Sequence, residues 1–226
     1  MMVVNTPVPD PSDRAKAETR DLRAQLWMRA HHEAAHAVVG TLFGKRVTAV
    51  EVWGGPPVGG RTDLSGLDDE AAAAPGPAPR PDGHATVRQI VYLLAGPVAA
   101  RISGGGSAQI MNDPAAFVSI RLGAVIDDPD GADLPLELAD IKTVAGLVVG
   151  HFGADDEAGI AAAVDHLGLS VESLVRDHWS SIQTVAGSLL RSGRLTENDF
   201  HSLWTRAMSA ASPQHAPMLP DSLSEV

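Results

Sequence analysis

The clearest pattern in the chain is a helical stripe of apolar positions near its N-terminus. Across residues 15–43, apolar side chains recur every three or four positions, and no proline interrupts them. The stripe consists of Leu22, Leu26, Trp27, Ala30, Ala34, Ala37, Val38 and Leu42. This spacing predicts one long amphipathic helix with at most one break, near Trp27, and Gly44 is placed to end it.

A strand pattern follows the helix. Residues 46–53 (RVTAVEVW) are rich in β-branched side chains and alternate in character, so they predict a strand. Residues 58–64 carry a weaker version of the same pattern. The intervening residues 54–57 are Gly-Gly-Pro-Pro, which supply a turn between the two strands.

The rest of the chain is mostly helical in pattern. Helical spacing returns after residue 83, and Pro97 is expected to bend or interrupt the helix that it predicts. Asp113, followed by a proline, has the residue type favoured at a helix N-cap. Helices are predicted at residues 84–103, 112–126, 134–149, 154–167, 170–191 and 196–208. In the last of these, Thr196 and Asp199 occupy the positions of a capping box.

These elements predict one mainly α-helical (α+β) domain over residues 15–208, with a small two- or three-stranded sheet beside the first helix. Residues 1–14 are rich in proline and are expected to be a flexible N-terminal segment. Residues 67–83 mix alanine, proline and glycine with almost nothing to bury, which predicts a mobile surface loop. Residues 209–226 are expected to form a disordered tail.

Composition narrows the classes of function. The net charge of −11, without clustered lysine or arginine, argues against nucleic acids and anionic membrane surfaces as partners. No apolar run reaches the roughly 18 residues that a membrane helix needs. The chain has no cysteine, which excludes disulfides and thiolate metal ligands and favours a cytoplasmic location. A metal ion would have to be held by histidines and carboxylates.

A metal-binding motif lies inside the first predicted helix. His32, Glu33 and His36 match the pattern His-Glu-x-x-His. Residues i and i+4 of a helix share a face, so the two imidazoles can bind one metal ion. Glu33 lies about 100° around the helix from His32, within reach of a metal-bound water. The motif predicts zinc-dependent hydrolysis, in which Glu33 is the general base that activates water and then protonates the leaving amine.

The residues alone leave the third metal ligand open. A catalytic zinc site needs three protein ligands and one open position for water. The extended form of the motif, with a later glycine and histidine, is absent because those positions hold Val39 and Leu42. The third ligand must therefore come from another part of the chain. By chemistry the candidates are Asp113, His84, Asp140, His151, Asp165, His166 and His178.

Three other polar features have simpler interpretations. The acidic turn at residues 127–133 lacks the glutamate that an EF-hand calcium loop needs at position twelve, so we interpret it as a solvated turn. His31 points away from the motif and is expected to be a surface or hydrogen-bonded residue. Tyr92 is the only tyrosine and a candidate oxyanion donor, but its apolar helical neighbours favour a core position.

The segment around the motif, residues 31–40 (HHEAAHAVVG), is similar to the zinc-peptidase signature of the FtsH-type (M41) metalloprotease family. Further similar segments are residues 46–50, which resemble the strand after the family's zinc helix, residues 93–100 (LLAGPVAA), which resemble its glycine-containing helix, and residues 186–200, which resemble its C-terminal helical hairpin. Asn112 and Asp113 resemble the Asn-Asp pair at which the family supplies its third zinc ligand. The resemblance spans most of residues 16–208.

The resemblance implies a helical zincin-like peptidase domain that binds Zn²⁺ through His32, His36 and Asp113, with Glu33 as the catalytic residue. It also implies a polypeptide substrate and assembly as a hexamer. The chain departs from the family at Ala35, where glycine is usual, and at Ala100 and Arg101, where the family carries an acidic residue. No Gly-x-x-x-x-Gly-Lys-Ser/Thr phosphate loop occurs in it, so an unfolding ATPase would have to be a separate partner chain.

The expected function is therefore a zinc-dependent, ATP-independent endopeptidase acting on unfolded or flexible polypeptides. Strand addition to an exposed edge strand at residues 58–64 would hold such a substrate by its backbone. One alternative is a non-catalytic, peptidase-like binding or assembly module. The presence of Glu33 argues against it, since neither folding nor metal ligation is expected to need that residue. A second alternative is a zinc amidohydrolase acting on small peptides.

Overall fold

The structure, a computed structural model, describes residues 11–55, 58–65, 83–104, 139–152 and 157–210. Within these residues the elements are, in chain order, α1 (Pro11–Leu42), β1 (Arg46–Trp53), β2 (Gly59–Ser65), α2 (Gly83–Ile102), α3 (Ala139–Phe152), α4 (Glu157–Asp177), α5 (Trp179–Ser192), β3 (Arg194–Thr196) and α6 (Glu197–Ala210). The described chain is thus mainly helical with a small antiparallel sheet, which confirms the predicted α+β class. None of the described helices combines the length and apolar character needed to cross a membrane.

Helix α1 is one continuous helix of 32 residues. It begins at Pro11, four residues before the predicted start and inside the segment expected to be flexible, and it has no break near Trp27. Its first half is largely exposed, whereas every residue from 29 to 40 is buried. Small side chains such as Ala30, Ala34 and Ala37, all at 0% exposure, let neighbouring elements approach this buried half closely. The histidine motif lies in that half.

The sheet is antiparallel, with the strand order β2-β1-β3. Strands β1 and β2 match the two predicted strands to within a residue, and the three-residue β3 completes the sheet on the other side of β1. Gly60, Thr62 and Leu64 alternate along β2, and all three lie against residues of α1. Among the described strands, β2 is therefore at the edge of the sheet, and its inner face covers the motif helix.

The remaining helices surround α1 and α2. Helix α2 packs along α1, and α3 and α4 pack against α2, while α5 packs on α1 from the other side. The helix predicted at residues 84–103 is confirmed as α2, but the expected interruption at Pro97 is wrong, because the helix continues through this residue. Most of the largest fully buried apolar side chains come from the helices, and one, Val50, comes from β1. Those from the helices are Val38, Val39, Ile90, Val91, Val144, Val148, Leu167, Ile182 and Leu189.

The predicted division between helices at residues 167–170 is wrong. Helix α4 runs through Gly168, and the break falls at His178, between α4 and α5. Leu167 and Val171, at 1% and 0% exposure, bury the helix on both sides of the glycine. This packing outweighs the cost of roughly 1 kcal/mol that a glycine adds inside a helix.

The predicted capping box at the start of α6 is confirmed. An Asp199 carboxylate oxygen accepts a hydrogen bond of 3.0 Å from the Thr196 backbone N–H. The Asp199 N–H points back at the Thr196 hydroxyl oxygen at 3.4 Å. The predicted helix at residues 112–126 and turn at 127–133 lie outside the described residues, as do most of the predicted loop at 67–83 and tail at 209–226.

Acid is expected to weaken the fold through His178. Burial lowers the pKa of His178 below its ordinary value of 6.5, an effect that the charge of Asp177 only partly opposes. The unfolded chain therefore binds more protons, and the free energy of unfolding falls as the pH drops through 6.5. Urea unfolding at about pH 7.5 and about pH 5.5 should show a smaller loss for His178→Phe than for the native chain.

The control for this experiment is His166→Gln, a change at an exposed histidine, which should leave the native pH dependence unaltered. The buried His31 also has a lowered pKa, caused mainly by burial, so some acid sensitivity should persist in His178→Phe. An equal loss of stability in the native chain and His178→Phe would show that His178 is not responsible.

Candidate metal centre

The motif histidines converge with a carboxylate from a distant part of the chain. In α1 the Nε2 atoms of His32 and His36 lie 3.0 Å apart. Asp140, in the first turn of α3, places its Oδ2 atom 2.9 Å from His32 Nε2 and 3.2 Å from His36 Nε2. The two histidine side chains are each 5% exposed and the Asp140 side chain is 23% exposed. Three potential metal ligands thus meet at one point that keeps access to solvent through Asp140.

The donor set suits a divalent ion such as Zn²⁺. Zinc binds imidazole nitrogen and carboxylate oxygen at about 2.0–2.2 Å, so a tetrahedral ion spaces its ligand atoms by roughly 3.4 Å. The observed separations of 2.9, 3.0 and 3.2 Å are slightly shorter than this. A small outward rotation of the side chains would admit the ion, and three protein ligands would leave a fourth position for water.

A backbone contact orients His36 for this role. Its Nδ1 atom lies 3.0 Å from the carbonyl oxygen of Tyr92 in α2. Because a carbonyl oxygen only accepts, Nδ1 carries a proton, and loss of the Nε2 proton on metal binding would leave the Nε2 lone pair directed toward His32 and Asp140. The Tyr92 ring also packs on the His36 ring, with centroids 4.9 Å apart. Burial, together with the negative charges of Asp140 and Glu33, raises the pKa of Tyr92, so its hydroxyl stays protonated.

The charges of the centre favour an ionised Asp140. Burial alone would raise the pKa of this carboxyl, but hydrogen bonds from His32 and His36 lower it far below its usual range. Burial lowers the pKa of His32 despite the contact with Asp140, which favours the neutral imidazole. Burial also acts to lower the pKa of His36, but the hydrogen bond and charge of Asp140 outweigh it and raise that pKa, so a metal ion must displace the Nε2 proton of His36. An ionised carboxylate beside a neutral imidazole is the protonation state that metal binding requires.

Gly96 of α2 provides the space in front of the two histidines. A methyl group added at this position would lie 2.4 Å from His36 Nε2 and 2.7 Å from His32 Nε2. These distances are shorter than any van der Waals contact, so the methyl would occupy the space next to both donor atoms. Only glycine leaves that space open, which is consistent with an ion between the ligands.

Replacing this glycine is expected to abolish metal binding. In Gly96→Ala the new methyl group would push the two imidazoles apart and fill the metal position, so zinc affinity should fall by more than about 100-fold. Isothermal titration of the metal-free chain with zinc measures this directly. The matched control is Gly146→Ala in α3, where an added methyl meets nothing within 4 Å. Equal zinc affinity in both variants would show that the ion does not lie beside Gly96.

Glu33 lies beside the centre and is held firmly by its neighbours. Its side chain is 5% exposed, and Oε1 lies 3.2 Å from Nε of the equally buried Arg29. Its Oε2 accepts a hydrogen bond of 2.9 Å from the Thr62 hydroxyl of β2. The backbone of Gly60 passes so closely that a methyl group there would lie 2.6 Å from Glu33 Cγ.

The structure brings together two of the three predicted ligands, His32 and His36, with Glu33 beside them. Asp113 lies outside the described residues, and its predicted role stays a prediction. Asp140, one of the chemically eligible candidates, is the carboxylate that meets the histidines in the described part of the chain. His31 was expected to be either a surface residue or a hydrogen-bonded one. It is buried, and its Nδ1 lies 2.9 Å from the Trp27 carbonyl oxygen, so it is hydrogen-bonded.

Sequence reasoning missed Arg29, Thr62 and Gly96. Arg29 had a detectable signal, since it precedes Glu33 by four residues and so shares its helix face. Gly96 lies within residues 93–100, which resemble a glycine-containing helix, but that resemblance gave Gly96 no role. The contacts of Thr62 and Gly96 with the motif depend on how β2 and α2 pack against α1.

Comparison with known proteins does not assign the chain to a family. No protein-family model matches the chain, and no curated protein matches its sequence.

Proposed function

We propose that this chain is a zinc-dependent peptidase whose metal is held by His32, His36 and Asp140. The observation that carries the proposal is the convergence of three donor atoms, 2.9–3.2 Å apart, beside the buried carboxylate of Glu33. Two histidines and one carboxylate are a ligand set of catalytic zinc sites, which leave one position open.

The catalytic chemistry divides between the ion and Glu33. When bound, Zn²⁺ would supply Lewis acidity that polarises the substrate carbonyl and acidifies a water molecule. Glu33 takes the proton from the attacking water and passes it to the leaving nitrogen, as a general base and then a general acid. The position of Glu33 supports this role. The residue is adjacent to His32 in the chain, and its carboxylate contacts Arg29 and Thr62.

The edge strand β2 supports a polypeptide substrate. Thr62 and Gly60 of this strand touch Glu33, so a peptide added along the edge of β2 that pairs with no described strand would run close to the general base. Strand addition recognises the backbone rather than particular side chains. It therefore favours extended or unfolded polypeptides, in agreement with the similarity to FtsH-type peptidases. The ATPase partner, the hexamer and the cytoplasmic location expected from the sequence remain predictions.

A non-catalytic module is the second candidate, and one contact favours it. Glu33 is the counter-ion of buried Arg29, so the fold itself has a use for this glutamate. This contact weakens the sequence argument that folding does not require Glu33. The residue alone does not separate an enzyme from a binding module.

Metal analysis combined with a cleavage assay separates these functions. The chain is loaded with one equivalent of zinc and incubated with a chemically unfolded protein and, separately, with a short peptide. Cleavage of the unfolded protein by the native chain, abolished in Glu33→Gln, is the expected result. Zinc binding without any cleavage would support the module, and cleavage of the short peptide alone would support a small-peptide amidohydrolase.

A further inference from the structure

The carboxylate of Glu33 contacts two side chains, Arg29 and Thr62, that are not among the proposed metal ligands. We propose that Arg29 and Thr62 are positioning residues, which fix the orientation of the Glu33 carboxylate for proton transfer. This inference rests on the proposed function, since it assigns the two residues a part in the same reaction. Neither residue belongs to the histidine motif or to the metal ligands.

Thr62 holds one oxygen of the carboxylate. Its hydroxyl oxygen lies 2.9 Å from Glu33 Oε2 and 3.0 Å from the Glu33 backbone carbonyl oxygen. Both of these atoms only accept, so the single hydroxyl proton of Thr62 is donated to Glu33 in either case. The alternation of side chains along β2 turns Thr62 toward α1, and the strand pairing with β1 fixes its height along the helix.

Arg29 holds the other oxygen. It precedes Glu33 by one helical turn, and its Nε atom lies 3.2 Å from Glu33 Oε1, with the two side chains 8% and 5% exposed. In the described part of the chain, Nε and Nη1 of Arg29 make no hydrogen bond of good geometry, so the attraction is that of an ion pair. A buried cation of this kind is stabilised by its counter-ion, which ties the two side chains together.

Gly60 closes the remaining side. An added methyl group there would lie 2.6 Å from Glu33 Cγ and 2.9 Å from Oε1. The Glu33 side chain is therefore confined between the backbone of β2 and the Arg29 side chain. Its Oε1 contacts Arg29, and its Oε2 accepts a hydrogen bond from Thr62. General bases act only when the accepting oxygen faces the proton, and a displacement of about 1 Å can reduce the rate by roughly 100-fold.

Thr62→Val tests this inference most cleanly, because it removes the hydroxyl and nearly preserves the shape of the side chain. In the zinc-loaded chain, kcat on an unfolded protein substrate should fall by roughly 10- to 100-fold while KM and zinc content stay unchanged. Thr62→Ser keeps the hydroxyl and should restore kcat. The matched control is Thr48→Val in β1, whose hydroxyl bonds the Asp63 carbonyl oxygen on the exposed side of the sheet. An unchanged kcat in Thr62→Val would overturn the positioning role.

A double-mutant cycle in the zinc-free chain supplies a readout that does not depend on activity. Thr62→Val and Glu33→Met are combined, since methionine has no oxygen to accept the Thr62 hydroxyl proton, and the free energies of unfolding in urea are compared. If the hydroxyl and the carboxylate interact, the double variant loses less stability than the sum of the single variants. Strict additivity would overturn the proposed contact. Coupling in a chain that cleaves nothing would instead overturn the proposed function and, with it, the positioning role.

Discussion

Glu33→Gln is expected to abolish cleavage and, at the same time, to destabilise the fold by about 3–5 kcal/mol. The stability loss follows from Arg29, whose side chain is 8% exposed and would keep a buried positive charge without a counter-ion. Removing one member of a buried ion pair costs more than removing both. Urea unfolding of the zinc-free chain measures the change.

The double variant Arg29→Met/Glu33→Gln separates the two effects. Methionine is apolar and of similar length, so the double variant should recover most of the lost stability while remaining inactive. Glu197→Gln is a suitable control, since its partner Arg46 forms an exposed pair and its loss should barely change the free energy of unfolding. If Glu33→Gln proved as stable as the native chain, the buried ion pair would not exist in solution.

Asp140→Ala is expected to lower zinc affinity by more than about 100-fold. Loss of a hydrogen-bonding partner behind a ligand already costs roughly 10- to 100-fold, and loss of the ligand itself should cost more. Asp140 Oδ2 lies 2.9 Å and 3.2 Å from the two histidine nitrogens, so no other carboxylate of the described chain can replace it without rearrangement. Titration of the metal-free variant with zinc gives the affinity.

Asp113→Ala is the informative comparison, because the sequence prediction gives Asp113 as the third ligand and the structure places Asp140 beside the histidines. Zinc affinity should be unchanged in Asp113→Ala. The opposite result, in which zinc binding requires Asp113 but not Asp140, would show that Asp113 is the third ligand, as the sequence predicted. Circular dichroism of both variants confirms that each is folded when the affinity is compared.

The parts of the fold that follow from local patterns were predictable from the sequence. The helical stripe around Ala34 and the β-branched run that forms β1 are periodic patterns that arise when one face of an element is buried. Both elements lie where expected. The division between α4 and α5 was not predictable in this way. Gly168 looks like a helix end, but the packing of Leu167 and Val171 carries the helix past it.

The candidate site likewise has a part that local sequence predicts and a part that it does not. His32 and His36 are four residues apart on one helix, so their convergence is a property of local geometry. Asp140 lies 108 residues beyond His32, and nothing near it in the sequence marks it as a ligand, whereas the Asn112–Asp113 pair favoured Asp113. Its position is set by the packing of α3 against α2, which local patterns do not encode.

Gly96 and Thr62 illustrate what the structure adds to a motif. A glycine in an apolar helix and a threonine in a short strand have ordinary explanations when read from the sequence alone. Only the packing of α2 and β2 on α1 turns them into the wall of the metal centre and a hydrogen-bond donor to Glu33. The motif predicts a chemistry, and the surrounding elements determine whether the site can perform it.

The account depends most directly on the convergence of His32, His36 and Asp140 around one ion. X-ray absorption at the zinc edge, recorded on the chain loaded with one equivalent of zinc, tests this geometry without reference to activity. We predict tight binding of one zinc per chain, with two imidazole nitrogens at about 2.0–2.1 Å and oxygen ligands at about 2.0–2.2 Å. A chain that takes up no stoichiometric zinc, or a spectrum with fewer than two imidazoles, would contradict the proposed centre.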